Sequence, residues 1–165
     1  MVTAVVVGNP RPASRTLSAA TYLARELVGA EPDLVVDLAT LGNAVLDWSD
    51  ETVTGLVGQV GEADLVVVAS PTYKAAYTGL LKLFLDRFAG GTGLRGLAVP
   101  LMLGGSPAHS LAPEHTLRPV LTELGATVPG RGLFVLDSAH DDPAAYADWL
   151  AATKPLTDSY LNGRR

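Results

Sequence analysis

The feature that most constrains the fold is a strict alternation of short β-branched runs with longer amphipathic runs, repeated five times in 165 residues. Short apolar runs bounded by Gly, Pro or Asp predict strands, and apolar residues spaced three and four apart predict helices. Strands and helices that alternate in this way predict an α/β fold with a parallel sheet and helices on both of its faces. Five strands favour the shorter doubly wound order, 2-1-3-4-5, over the longer six-stranded nucleotide fold.

The individual elements follow from the same patterns. Strands are predicted from Thr3 to Val7, Asp33 to Leu38, Leu65 to Ala69, Leu97 to Leu103, and within Thr127 to Leu136 with an interruption near Pro129 and Gly130. Helices are predicted from Ser14 to Val28, Ser49 to Gly61, Tyr77 to Phe88, Ser110 to Leu124 and Asp141 to Ala152. Pro100 is awkward in a central strand, and Pro119 should kink the fourth helix. We expect one domain over residues 1–154 and a frayed tail over residues 155–165, where the apolar period is lost.

Composition narrows the function classes. The chain has no cysteine, which excludes disulfides, thiolate metal sites and a thiol nucleophile. Its histidines and carboxylates show no metal-ligand spacing, so no metal is expected. The net charge of −5 argues against nucleic acid as a partner. The first apolar run is short and lacks a basic lead-in, and no apolar run approaches a membrane span, so we expect a cytoplasmic protein.

Ligands of this fold bind beyond the carboxyl ends of the strands, where the strand order reverses. The loop after the first strand, Gly8 to Thr16, has two arginines, two hydroxyls and an amide next to the start of a helix. Free N–H groups and the helix dipole favour an anion there, and arginine side chains bind phosphate oxygens well, so a monophosphate group is the expected ligand. The alternative is a proline-rich turn with solvated arginines, in which Ser14 is only a helix cap.

Two further loops should reach the same edge of the sheet. The loop after the third strand runs from Ser70 to Gly79 and offers an aromatic side chain, small residues and a polar turn, as a flat aromatic ligand would need. The loop after the fourth strand begins with Gly104 and Gly105, which permit close approach of a ligand to the backbone. Each loop has an ordinary alternative: a capped helix start with rim tyrosines for the first, and a simple turn for the second.

Three motifs in these loops resemble the NAD(P)H-dependent FMN reductases of the flavodoxin-like superfamily, and most closely the alkanesulfonate-type enzymes that supply reduced flavin to a separate monooxygenase. They are GNPRPASRT, SPTYKAAYTGLLKLFLDRF and GGSPAHSLAPEHTLRPVLTELGA. The second is long and specific, whereas the first has Asn9 where the family pattern has serine. The resemblance spans the first to the fifth strand and implies a flavodoxin-like fold.

The resemblance also implies roles for particular residues. FMN phosphate would be bound by Asn9, Arg11, Ser14, Arg15 and Thr16. The ribityl chain and the ring edge would be held, partly through main-chain N–H groups, by Pro71, Thr72, Tyr73 and Lys74. The pyrimidine end would lie against Gly104, Gly105 and Ser106. His109 would either contact flavin or nicotinamide, or be a capping or surface histidine. NADPH or NADH would supply the hydride, and no residue is expected to act as a catalytic acid or base.

Assembly and partners are also implied by the resemblance. The apolar stretch from Leu80 to Leu85 suits a homodimer or homotetramer contact, but it equally suits a buried helix. His115 falls where some relatives have an aromatic residue on an irregular fourth helix, so a π-bulge and a role for His115 are hypotheses. An FMNH2-dependent monooxygenase is the implied partner.

Other functions stay open at this stage. A flavodoxin-type electron carrier would use the same cofactor, but the hydroxyl- and glycine-rich phosphate loop typical of flavodoxins is absent. A quinone or azo-dye reductase would use the same flavin site. A binding or regulatory module that keeps only the fold would not bind FMN. A low-molecular-weight tyrosine phosphatase is excluded by the missing cysteine, and neither a Walker loop nor a G-x-G-x-x-G fingerprint is present.

Overall fold

Five parallel strands form one sheet in the order β2-β1-β3-β4-β5 in the computed structural model, which describes residues 1–163. The strands are β1 (Thr3–Val7), β2 (Leu34–Asp37), β3 (Leu65–Pro71), β4 (Leu97–Gly104) and β5 (Leu133–Leu136). The predicted fold class and strand order are confirmed. Every residue of β1, β3 and β4 is buried, as expected of strands covered on both faces.

Five α-helices cover the two faces of this sheet. They are α1 (Arg15–Val28), α2 (Glu51–Gly61), α3 (Gly79–Leu85), α4 (Arg118–Glu123) and α5 (Ala144–Gly163). One apolar core lies between the sheet and α2, α3 and α4, and the other lies between the sheet and α1 and α5. None of the helices in residues 1–163 is long and apolar enough to cross a membrane.

α2 and α3 begin later than the sequence predicts, and α5 begins at Ala144 rather than at Asp141. α2 is capped by Asp50, whose carboxylate accepts a hydrogen bond from Val53 N at 2.8 Å. Ser49, where the helix was predicted to begin, instead donates from its hydroxyl and its N–H to Asp47, and these bonds hold the pKa of the Asp47 carboxyl below its usual value. α3 starts after Thr78, so the prediction of a helix from Tyr77 to Phe88 was too long at both ends.

The predicted fourth helix, Ser110 to Leu124, is irregular and is preceded by a separate turn. A 3₁₀ turn (Pro107–His109) is followed by a π-helix (Pro113–Leu117) and then by α4. The wide turn closes where Arg118 N donates to the carbonyl of Pro113, just before Pro119, which has no N–H for an α-helical bond. The expected irregularity and the π-helical hypothesis are therefore confirmed, while a role for His115 stays a prediction.

β5 is shorter than predicted because the residues from Thr127 to Gly132 do not form a continuous ladder with β4. Thr127 forms an isolated bridge with Leu97, and the ladder starts again at Leu133. Ala98 N donates to the carbonyl of Thr127 at 2.9 Å, so the nitrogen of Pro100, two residues on, faces this irregular stretch. The proline is tolerated in β4 because no ladder bond is needed at that position.

The prediction of a frayed tail from Pro155 was wrong for residues 155–163, which continue α5. Lys154 Nζ donates to the carbonyls of Glu26 and Leu27 at 2.6 and 2.7 Å, at the end of α1. Thr153 and Thr157 are buried on the same side of α5. These tertiary contacts hold the helix together across its proline. The predicted tail residues 164 and 165 lie outside the described part of the chain.

Candidate functional site

The loop from Gly8 to Thr16, which we call the arginine loop, is held by its own polar side chains. Asn9 accepts a hydrogen bond from Arg11 N at 2.9 Å and donates to the Thr16 hydroxyl at 3.0 Å. Ser14 caps α1 by accepting from Leu17 N at 3.2 Å. Three of the predicted phosphate residues are thus part of the frame of the loop, and α1 directs its N-terminus toward this loop.

A residue that the sequence analysis missed also supports this loop. Ala13 has a φ of 50°, in the left-handed region that non-glycine residues rarely adopt. Asp37, at the carboxyl end of β2, accepts a hydrogen bond from Ala13 N at 3.0 Å and one from Ala39 N at 3.3 Å. The Asp37 carboxylate therefore stabilises the unusual backbone of the arginine loop. The sequence feature that could have indicated this role is that Asp37 is an acidic residue at the end of the strand next to β1.

Thr78 joins the second loop to the first. Its hydroxyl donates to the carbonyl of Gly8 at 2.5 Å and accepts from Leu81 N at 3.1 Å, and its own N–H donates to the Ser70 hydroxyl at 3.0 Å. Gly8 lies so close to α3 that an added Cβ would come within 2.4 Å of Leu81 Cβ. The ends of β1 and β3 are thereby fixed relative to one another.

The second loop turns tightly just beyond β3. Tyr73 N donates to Ala76 O at 2.8 Å and Ala76 N donates back to Tyr73 O at 3.2 Å. The two central residues, Lys74 and Ala75, have φ values of 54° and 65°, as in a type I′ turn. Positive φ at two consecutive non-glycine residues stores backbone strain, which is found most often at ligand-binding sites.

The turn also limits which main-chain donors are free. The N–H of Thr72 donates to the carbonyl of Leu103 at 2.6 Å, and the N–H of Tyr73 is used within the turn. Pro71 has no N–H. Of the four residues predicted to bind through this loop, only Lys74 has an N–H with no hydrogen bond to another residue of the described chain.

The third loop adjoins the second at Thr72 and Gly104. A Cβ on Gly104 would approach the Phe134 ring to 2.9 Å and Thr72 Cβ to 3.4 Å, so only glycine fits there. The Thr72 hydroxyl is buried and is the one buried side-chain polar atom without a partner in residues 1–163. A buried hydroxyl without a partner is unfavourable, and a bound polar ligand would satisfy it.

The rest of this loop is more open. Gly105 is exposed and has free space around it. Ser106 accepts a hydrogen bond from Ala108 N at 3.3 Å and so caps the 3₁₀ turn, and His109 closes that turn by donating its N–H to Ser106 O. His115, on the π-helix, is exposed.

A cavity of about 390 Å³ brings the first two loops together. We call it the arginine cavity. It is lined by Asn9, Arg11, Pro12, Ala13, Ser14, Arg15, Thr16, Pro71, Tyr73 and Asp137. All five predicted phosphate residues and two of the predicted ring-side residues are among these. The other predicted site residues do not line it: Thr72, Lys74, Gly104, Gly105, Ser106 and His109. Asp137, just after β5, was not predicted.

The charges of the cavity are available to a ligand. In the described part of the chain, the guanidinium groups of Arg11 and Arg15 make no ion pair or hydrogen bond. Both arginines are exposed, and Tyr73, which lines the same cavity, is 52% exposed. Two unpaired cations at a helix N-terminus, bordered by an aromatic ring, suit an aromatic ligand with a phosphate group. In residues 1–163 no cluster of three or more His, Cys, Asp or Glu residues is arranged to hold a metal ion.

Comparison with known proteins gives consistent matches over this chain. The sequence model of a family described as NADPH-dependent FMN reductase matches residues 1–141. The protein is 32% identical over 137 residues to the FMN reductase (NADPH) of Escherichia coli K12, covering 81% of this chain and 72% of that protein. It is also 32% identical over 163 residues to the NADH-dependent FMN reductase SfnE of Pseudomonas putida, covering 92% of this chain and 84% of that protein.

The fold agrees with these sequence matches. The crystal structure of the apo form of an NADH:FMN oxidoreductase, EMOB, superimposes with a TM-score of 0.81 at 29% identity. The superposition covers 98% of this chain and 89% of that one.

Proposed function

Because the chain belongs to the NADPH-dependent FMN reductase family, and is thus an NAD(P)H-dependent oxidoreductase that acts on FMN, we propose that the arginine cavity is its flavin site. The observation that carries this proposal is the meeting, in one cavity, of two unpaired arginines, a helix N-terminus and an exposed tyrosine ring. FMN has the matching parts, a phosphate at one end and a flat ring system at the other.

The phosphate end has a defined set of donors. Arg11 and Arg15 supply forked guanidinium donors, and the first N–H groups of α1 add to the positive potential. Asn9 and Thr16 hydrogen-bond to each other, and both line the cavity. Their role is to hold the loop open for the phosphate and to add polar contacts to it.

The ring end is proposed to extend from Tyr73 toward Thr72 and Gly104. The unpartnered Thr72 hydroxyl supports this placement, because a polar edge of the ring would give it a hydrogen bond. Gly105, which is exposed and has free space around it, allows close backbone approach on the same side. Gly104, next to it, leaves room for the Phe134 ring. Lys74 contributes a free main-chain N–H and, through its ammonium group, a positive charge for flavin or nicotinamide.

The chemistry of hydride acceptance is supplied by FMN when it is bound. The protein binds and orients the two cofactors so that the nicotinamide lies over the ring, and such positioning is worth several kcal/mol of barrier. Hydride transfer between the two cofactors needs no acid or base from the protein, so no side chain is assigned a proton-transfer role. Substitutions in the cavity should therefore change flavin affinity more than the rate of the chemical step.

We further propose that FMN is exchanged rather than permanently held, and that reduced FMN is passed to a monooxygenase. The exposure of both arginines supports exchange, because the phosphate end of the cavity is open to solvent. We place the enzyme in the cytoplasm. Self-association through α3 is supported by Leu83, which is 40% exposed on that helix. The homodimer and homotetramer are distinguished by light scattering of the purified protein.

The proposal is tested by comparing the rate of nicotinamide oxidation and the affinity for flavins between the unmodified protein and a variant of the cavity. NADH and NADPH oxidation would be followed with and without added FMN, and FMN and riboflavin binding would be measured by fluorescence quenching. The unmodified protein should oxidise the nicotinamide only when FMN is present. Arg11→Gln combined with Arg15→Gln should weaken FMN binding at least tenfold but leave riboflavin binding unchanged, since riboflavin lacks the phosphate.

A matched control lies on the same helix. Arg25 is in the last turn of α1, far from the arginine loop in sequence, and pairs with Glu26 and Glu31 on the surface. Arg25→Gln removes one positive charge outside the cavity and should leave both flavin affinities unchanged. Equal loss of FMN and riboflavin binding in the double variant would contradict the phosphate assignment. FMN binding without nicotinamide oxidation would indicate an electron carrier instead.

A further inference from the structure

Asp137 places a carboxylate in the cavity that the arginines line. It follows β5 directly and begins a short 3₁₀ turn (Asp137–Ala139). Its side chain lines the arginine cavity together with Arg11 and Arg15. Its main-chain carbonyl accepts a hydrogen bond from His140 Nδ1 at 3.0 Å.

The carboxylate of Asp137 has no hydrogen bond or ion pair in residues 1–163. It is half-buried, and neither Arg11 nor Arg15 forms an ion pair with it. This differs from Asp37, the other acid near the arginine loop, whose two oxygens are both occupied by main-chain N–H groups. Asp37 has a visible role in the loop, whereas Asp137 has none within the protein.

The effect of Asp137 on the cavity is electrostatic. Arg11 and Arg15 contribute two positive charges and Asp137 subtracts one of them. A phosphate monoester has nearly two negative charges at neutral pH. A carboxylate in the same cleft repels it, and the repulsion is moderate because solvent reaches the site.

We propose that Asp137 is a specificity-determining residue that weakens the hold of the cavity on the flavin phosphate. This inference assumes the flavin site proposed above and adds to it the reason for exchange. With both arginines unopposed, FMN would stay bound between turnovers. With Asp137 present, the cavity still prefers FMN to riboflavin but releases FMN more readily. An enzyme that uses FMN as a substrate must release it after each turnover.

The experiment compares two flavins on three proteins. Dissociation constants for FMN and riboflavin would be measured for the unmodified protein, Asp137→Asn and Asp141→Asn at the same ionic strength. Asn is isosteric with Asp, so the substitution removes charge with little change of shape. Asp141 is a matched control, because its side chain is 79% exposed and does not line the cavity.

Asp137→Asn should bind FMN about three- to tenfold more tightly, the range expected for removing one like charge in a solvated cleft. Riboflavin affinity should not change, and Asp141→Asn should match the unmodified protein for both flavins. Addition of inorganic phosphate should compete with FMN more strongly in Asp137→Asn. Circular dichroism would verify that each variant is folded.

The outcomes separate this inference from the proposed function. If the unmodified protein binds FMN but Asp137→Asn leaves the ratio of FMN to riboflavin affinity unchanged, the role of Asp137 is refuted and the flavin site stands. Weaker FMN binding in Asp137→Asn would also refute it, because the carboxylate would then be a ligand contact. If the unmodified protein binds neither flavin, the proposed function itself fails.

Discussion

Replacement of the Thr78 hydroxyl should destabilise the protein, because this one atom joins two of the loops at the site. Thr78 is 4% exposed, and its hydroxyl both caps α3 at Leu81 N and donates to the buried carbonyl of Gly8. Thr78→Val keeps the shape of the side chain and removes both hydrogen bonds. The predicted result is a large loss of stability without a change of fold.

The magnitude follows from the two bonds. Loss of a threonine helix cap costs about 1 kcal/mol. A buried carbonyl left without its donor costs about 1–3 kcal/mol more. We therefore expect Thr78→Val to lower the free energy of unfolding by about 2–4 kcal/mol. For a chain of this size, a loss near the middle of that range lowers Tm by about 6–12 °C.

The assay is urea denaturation followed by far-UV circular dichroism, with thermal denaturation as a second measure. Thr78→Ser is the matched control, because it keeps the hydroxyl and deletes only the methyl group. It should lose about 1 kcal/mol or less. If Thr78→Val loses under 1 kcal/mol, or if Thr78→Ser loses as much as Thr78→Val, then the hydroxyl does not hold the two loops together as described.

Three further predictions concern other parts of the structure. Burial raises the pKa of the Tyr146 phenol to about 12 from an ordinary value of 10.0, so the unfolded chain ionises first and stability should fall as the pH rises between these values. Tyr146→Phe should make the pH dependence of urea denaturation shallower in that range, and an unchanged slope would contradict it. Lys154→Met should cost about 1–2 kcal/mol in the same assay, because two carbonyls at the end of α1 lose a charged donor. Lys82→Met, which removes an exposed ion pair, is the control and should leave the stability nearly unchanged. Gly8→Ala should cost about 1–3 kcal/mol by thermal denaturation, because the new methyl group overlaps Leu81, and a stability equal to that of the unmodified protein would mean that α3 can shift.

The sheet could be predicted because its signals are local. β1 and β3 are continuous apolar runs with polar or turn residues near their ends, so each is recognisable as a strand. The order of the strands could also be predicted, because few arrangements are possible for a five-stranded doubly wound sheet. The start of α2 was harder, since Ser49 and Asp50 are both good caps and only the contact of Ser49 with Asp47 decides between them. Local patterns find an element more reliably than they find its first residue.

The site was predictable in part for the same reason. Arg11, Arg15 and Ser14 lie in one loop, so their proximity is implied by the chain itself. Asp37 ends β2 and Asp137 follows β5, and an acidic residue at the carboxyl end of a strand is the only local signal that either of them gives. Their roles depend on which atoms the tertiary fold brings to Ala13 N and to the cavity, and that information is not local.

The length of α5, which runs from Ala144 to Gly163, determines which residues must be included when the protein is expressed. The family model ends at residue 141, which invites expression of a shortened product. Such a product would lack Tyr146, which is fully buried against the sheet and lies edge-on to Tyr22, and it would lack Lys154 as well. Only α1 would then cover this face of the sheet, and the apolar residues that α5 buries would be exposed, so the truncated protein should be insoluble. An affinity tag should therefore be added after α5 and should not replace it.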